Sequence, residues 1–429
     1  MANGARETAG EAEGVGARGS VPLPKLLRSY WAWSAVVFGL TLVVAWLEFR
    51  AGFPRNRWDP LAAWFLDLNE YLGTYKLLHT AAFFFNVQGA PLPYPLFSPV
   101  AYPPFSAVVM APLYASANPG AVFLAVAAVW LAVCVWGVRR ALIGAGIHGV
   151  TATLFPLTLT AMSFPIARLV HQGNIELVLW IFAAVGVWAF LRGWDDAAAV
   201  LWGLAAAMKL FPVVLLLLLL PRRRYRAFAV GVGTFVAATV WSLWWLGPTM
   251  EVAWRGSLKN VFGYQGTRVS EWSLHELAAN HSALGLVKLA AIFARFPLAR
   301  LTLPYYVCGA LVLGLAFFWQ LWKMPVANQL LAVSVFMVMF PPVSYFHALV
   351  HLYAPLLVLL FVAIRAERAG VRVRGLGLTV MLFVPLFASW TLFTFVRVWL
   401  FAGLLQACIL VALFLCALEY PFAVVTAEA

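Results

Sequence analysis

The sequence predicts an all-α, polytopic membrane protein, and three observations predict it. Apolar residues make up 64% of the 429 and charged residues only 10%, whereas about a quarter of a soluble domain is charged; mean hydropathy is +0.89. The apolar residues gather in runs of roughly 20, the length that crosses a bilayer as one helix. The basic residues, responsible for a formal net charge of +13, fall in short clusters between those runs, as in Arg222-Arg223-Arg224-Tyr225-Arg226. That is the pattern of cytoplasmic loops and not of a basic face. Membrane lipids are therefore expected as surroundings, and no nucleic-acid partner.

Residues 1–24 are rich in Ala, Gly and Glu and read as a disordered cytoplasmic tail without the short apolar core of a cleaved signal peptide. Lys25 and Arg28 precede the first run, 30–49, which places the N-terminus inside. A long polar-aromatic loop, 50–102, follows on the outer side. The next apolar region, 103–137, is interrupted at Ala117-Asn118-Pro119-Gly120. Runs at 150–166, 177–191, 198–220 and 227–246 come next, then a second long outer region, 247–299, and further runs at 303–322, 326–341, 351–364, 375–393 and 398–418. The total is about twelve spans. They form one transmembrane domain, 25–420, with a cytoplasmic tail at 421–429. Two topologies fit the middle of the chain. If every run crosses, His171-Gln172-Gly173-Asn174-Ile175-Glu176 lies inside. If 103–137 crosses once and the chain breaks at Lys209-Leu210-Phe211-Pro212, that segment faces out, and Arg139, Arg140 and Arg192 face in, which obeys the positive-inside trend better. Cys134, Cys308, Cys408 and Cys416 all sit in apolar runs, so neither a disulfide nor a metal site is expected.

Long connections are usually functional when they are not disordered, and the first outer loop is too aromatic for disorder. Asp67, with Asp59 and Glu70 as rivals, sits in it near the membrane surface, where a low-dielectric boundary raises a carboxylate toward the range of a general base. Lys209 lies inside an apolar run; a lysine at mid-bilayer costs about 3 kcal/mol. It needs an anionic partner, such as a lipid phosphate or Glu176, or a route to the interface. His171, Gln172, Asn174 and Glu176 form a polar patch that must face protein rather than lipid. His281, His347 and His351 fall at outer edges of spans and can donate to a phosphate or shuttle protons. No nucleotide-binding or metal motif is present, and no cofactor is expected.

The order DLNEY, Gly89, YPP, HQGNIE, AAAMKLFP, RRRYRA, NHS and PPVSYFHALVHLYAP resembles the glycosyltransferase 87 family. The resemblance runs from about residue 30 to 355. These are polytopic enzymes of the GT-C type that use polyprenyl-phosphate-linked mannose. The resemblance implies that Asp67, with Tyr71 beside it, is the general base, and that Tyr102-Pro103-Pro104 and Lys209-Leu210-Phe211-Pro212 line the donor cavity. It further implies an inverting transfer of a hexose, mannose first, from a polyprenyl-phosphate sugar to a glycolipid or envelope glycan at the outer face of the plasma membrane. Gln172, Asn174, Glu176, His281, His347 and His351 join the substrate-binding set. The chain departs from the family pattern at His171 and at Tyr345-Phe346-His347. The rival reading is a secondary transporter or flippase for a lipid-linked sugar. It would want charges at mid-membrane and two similar halves, whereas here the polar residues gather on one face.

Overall fold

The computed structural model describes residues 22–50, 68, 102–246, 249–264, 269, 279–388 and 402–423, and all of its regular elements there are helical. Prolines and small polar caps decide where several helices begin. α1 is Lys25–Arg50. α2, Pro104–Tyr114, opens on a proline, and α3, Pro119–Gly144, opens on another with Asn118 capping the Ala121 amide. Proline suits the first turn because its missing N–H has no partner there in any case. The interruption expected at residues 117–120 is thus real, but only α2 is short. α4, Gly149–Met162, and α5, Phe164–Gln172, are bent by 59° at Ser163, whose side chain caps the Ile166 amide. Gly173, left-handed at φ 65, ends α5 and turns the chain into α6, Glu176–Leu191.

α7, Asp195–Met208, stops at Lys209, which is extended, and a 3-10 helix, Phe211–Leu219, follows. This segment does not cross. Asp195 at the start of α7 lies 2.9 Å from Nε of Arg224 and 3.6 Å from Nη1 of Arg222, both beyond the 3-10 helix. The run enters the bundle and returns to the level where it began, with Lys209 at its tip. α8, Tyr225–Leu246, then traverses the molecule. In the described part of 247–299, α9 is Met250–Tyr264 and α10 is Ala283–Phe293. α11, Thr302–Leu315, continues through short irregular turns to Lys323. α12 is Val326–Met339, a second 3-10 helix is Phe346–Leu352, and α13, Tyr353–Arg368, continues it. α14 is Leu376–Phe387 and α15 is Ala402–Glu419.

Among the described residues six helices are long and apolar enough to cross a membrane, or seven if the bent α4–α5 pair is one span. The chain is a polytopic helical membrane protein, and its described residues hold fewer long apolar helices than the twelve spans expected. Runs of apolar residues include the hairpin of α7 and shorter helices such as α2, α6, α12 and α14, and composition alone does not separate these from spans.

The helix ends define two poles. At the basic pole the Lys25 amide donates to Glu367, Asn328 donates to the Ala417 and Tyr420 carbonyls, and Arg222 donates to the Phe190 carbonyl. Trp31, near the start of α1, donates to Thr158, and Arg139 donates to Thr153, so the Arg139–Arg140 end of α3 belongs to this pole too. At the other pole Phe211 meets Phe340 edge-on at 6.4 Å, which sets the first 3-10 helix antiparallel to α12. The HQGNIE segment sits there, opposite the arginines, as the second topology requires. The first outer loop lies outside the described residues except at 50, 68 and 102.

Candidate functional site

Four chain segments carry polar side chains into the pole opposite the arginines. The first is the α5–α6 turn. Gly173 permits the reversal, Asn174 accepts the Glu176 amide on Oδ1 at 2.9 Å, and Glu176 begins α6 with 2% exposure. Asn174 thus shapes the turn that aims Glu176. Gln172 is buried at the end of α5.

The second segment is the hairpin tip. Lys209 reaches Oε2 of Glu176 with Nζ at 2.8 Å. The third is the 3-10 helix that holds His347 and His351, where Nε2 of His351 lies 2.9 Å from Oε1 of Glu176. One buried carboxylate is therefore clamped on both oxygens, and the charge that a lone carboxylate could not carry into an apolar interior is compensated. The lysine keeps donors to spare, since an ammonium has three.

The fourth segment is Asn280-His281-Ser282, tied to residues 342–344. Asn280 donates to the Pro342 carbonyl and accepts the amides of Ser282 and Ser344, and Ser282 also donates to Pro342. The His281 amide donates to the Ser344 carbonyl at 3.0 Å, and Nε2 of His281 lies 3.0 Å from the Ser344 hydroxyl. Burial first, then His347 and Lys209, bring His281 down to about 3, so its ring is neutral at physiological pH. His347 interacts electrostatically with Glu176, Lys209, Arg168 and His351, which places all of these groups in one neighbourhood.

Glu176, Lys209, Ser344 and His351 share a hollow of about 250 Å³ with Phe211, Pro212 and Met337. The Nδ1 atoms of His281, His347 and His351 are buried and have no hydrogen-bond partner among the described residues. Buried polar atoms are normally satisfied; of the three imidazoles His351 lines the hollow itself, so its open nitrogen suits a polar ligand there. His351 donates through Nε2 to the carboxylate; in the neutral ring its Nδ1 is then an acceptor. The hollow thus offers a cation, hydroxyl and imidazole groups, and no carboxylate oxygen that is not already engaged.

Seven of the residues singled out from the sequence meet here or on the turn that builds the site: Lys209, Gln172, Asn174, Glu176, His281, His347 and His351. Tyr102 stands half-buried just before α2, packed against a separate apolar cluster around Phe105 and Met110. Asp67 and Tyr71 lie outside the described residues. Leu68, next to Asp67 in the chain, is buried, takes a left-handed φ of 47 and donates its amide to the His171 carbonyl at 2.7 Å. Two residues were missed. Ser344 carries no charge to mark it. Arg168, 3% exposed in α5, could have been found by the reasoning that found Lys209, because it too is a charge inside an apolar run.

A bundle of membrane-crossing helices with a charged, imidazole-rich hollow at one pole defines a membrane-embedded protein with a polar site. The sequence model of glycosyltransferase family 87 matches residues 101–344, more than half of the chain, and the matched stretch includes Lys209, Glu176, His281 and Ser344. The chain belongs to glycosyltransferase family 87 and is a membrane-embedded glycosyltransferase. No curated protein and no solved structure matches it.

Proposed function

We propose that the chain is an inverting hexosyltransferase that moves mannose from a polyprenyl-phosphate donor to a glycolipid or envelope-glycan acceptor at the outer face of the plasma membrane. The acceptor hydroxyl attacks the anomeric carbon as the bond from that carbon to the phosphate oxygen breaks. The electron pair leaves with the lipid phosphate, and the hydroxyl proton passes to Asp67. A single displacement inverts the anomeric centre, so one base is enough. Lys209, with His281 and His347 in the tautomer that carries the proton on Nδ1, holds the phosphate as its charge grows, in a hollow where water does not screen them. Tyr71, Tyr102 and Gln172 complete the substrate wall.

The observation that carries this reading is Lys209 at a re-entrant tip, 2.8 Å from buried Glu176 and 2.9 Å from Glu176 to His351, in a chain of a glycosyltransferase family. The tether from Leu68 to His171 supports a place for the Asp67 segment at the same hollow. A second hollow of about 520 Å³, walled by α1, α4, α13 and α14 and lined by Val37, Leu159 and Phe387 around the Tyr353–Ser163 hydrogen bond, supports a seat for a lipid chain. One observation favours a second base. Glu176 orients His351 and leaves its Nδ1 open, the arrangement in which a carboxylate aims an imidazole at a hydroxyl.

The test is to incubate the purified protein with radiolabelled polyprenyl-phospho-sugars and membrane extract and to identify the product. Labelled glycolipid or glycan, absent with Asp67→Asn, is expected. Transfer lost in His351→Gln but kept in Asp67→Asn moves the base to His351. Donor carried across a vesicle membrane without transfer establishes the flippase instead.

A further inference from the structure

The basic pole carries a group of arginines that the transfer reaction does not use. Arg192, Arg222, Arg223, Arg224 and Arg226 lie with two carboxylates, Asp195 and Asp196, in the α6–α7 turn and the turn leading into α8, which ion pairs join. Arg222 and Arg224 fold onto Asp195, and Arg226 lies 3.5 Å from Asp196. Arg222 also covers the Phe190 ring at 3.7 Å while donating to the Phe190 carbonyl. Arg192 and Arg223 have no carboxylate partner among the described residues.

The two surplus arginines are held in place by unlike means. Arg192 lies over the Trp188 ring, 5.8 Å from its centroid, and Trp188 is edge-on to Trp194 at 5.0 Å. Arg223 sits at φ 57 in a turn closed by hydrogen bonds from the Arg223 amide to Leu220 and from the Arg224 amide to Leu219. Glycine or asparagine takes that backbone region easily and a long side chain does not. A strained residue at an exposed turn points to a use for its side chain. Trp188, Trp194 and Tyr225 are all exposed around the group, and exposed Trp and Tyr on a membrane protein mark the headgroup depth of the bilayer.

We infer that the α6–α7 turn and the turn before α8 form a binding site for the headgroup phosphate of an anionic phospholipid, with Arg192 and Arg223 as its ligands. Charge complementarity selects the occupant. A surplus of guanidinium groups at headgroup depth, between packed helices, is how anionic lipid heads are recognised. The site sits at the root of the α7 hairpin, whose tip is Lys209, so a bound lipid braces the element that presents that lysine. Occupancy by lipid is independent of the sugar-transfer reading.

The experiment uses the full-length protein in mixed nanodiscs of phosphatidylglycerol and phosphatidylcholine, with retained lipid read by native mass spectrometry. Phosphatidylglycerol is expected to be retained preferentially, and the Arg192→Gln/Arg223→Gln variant should lose about thirtyfold of that preference. Its melting temperature in phosphatidylcholine alone should match the unmodified protein. If the double variant does not fold, Arg223→Gly, which suits the left-handed turn, is measured in its place and should lose about fivefold. Equal retention of the two lipids, or an unchanged preference in the variants, overturns the inference. So does displacement of phosphatidylglycerol by soluble glycerol phosphate, which would mark a site for a free anion.

Discussion

Two clamped carboxylates, one at each pole, show how differently the same chemistry can be used. Asp195 is held by Arg222 and Arg224, whose side chains remain 29% and 62% exposed. Glu176 is held by Lys209 at 23% and by His351 at 3%. Asp195 ties the two ends of the α7 hairpin together, whereas Glu176 ties the hairpin tip to the start of α6 and to the second 3-10 helix. The Asp195 cluster is a seam at the surface, where solvent weakens each ion pair. The Glu176 cluster is closed, its charges are compensated inside the protein, and its imidazoles keep nitrogens open. An ion pair that staples a hairpin root differs from one that holds charge ready for a ligand chiefly in what water can reach.

Four substitutions would break or sharpen that contrast. Asp67→Asn is expected to have the largest effect, a loss of about 10³-fold in single-turnover transfer with expression unchanged. A variant that keeps full turnover while Asp59→Asn does not would move the base. Glu176→Gln should come next, because it strands a lysine beside a hollow. A loss of about 3 kcal/mol is expected in denaturant unfolding, with much of it recovered in Glu176→Gln/Lys209→Met. If the double variant is no better than the single, the pair is not coupled. Lys209→Ala should weaken binding of a non-transferable donor analogue by roughly tenfold or more in a titration, and unchanged affinity would remove its phosphate role. Asp195→Asn should be mildest, at about 1 kcal/mol or less in thermal unfolding, with sugar transfer retained. A large loss of transfer there would show that the two poles are coupled through the hairpin.

Much of the site was legible in the chain because charge in an apolar run is expensive. Lys209 and the HQGNIE segment stood out for that reason, and the break at Lys209–Pro212 followed from the positive-inside trend. Glu176 was already a candidate partner for Lys209, and the structure pairs them at 2.8 Å. The pairing of His351 with Glu176, across 175 residues, was not legible, since no local pattern records it. Nor was it legible that Asn174 shapes the turn that aims Glu176, its Oδ1 accepting the Glu176 amide. The number of spans was not legible because an apolar hairpin and a crossing helix have the same composition.

By itself, the sequence determined that this protein lives in a bilayer, that its helices are apolar on most sides, and that its basic residues cluster between the apolar runs. Solvation sets those outcomes, and it acts residue by residue. Only the tertiary structure decided that the α7 run turns back, that Glu176 receives both a lysine and a histidine, and that three imidazoles are left with an open nitrogen. Those outcomes depend on which groups can neutralise one another in a dry interior, a property of packing between segments far apart in the chain.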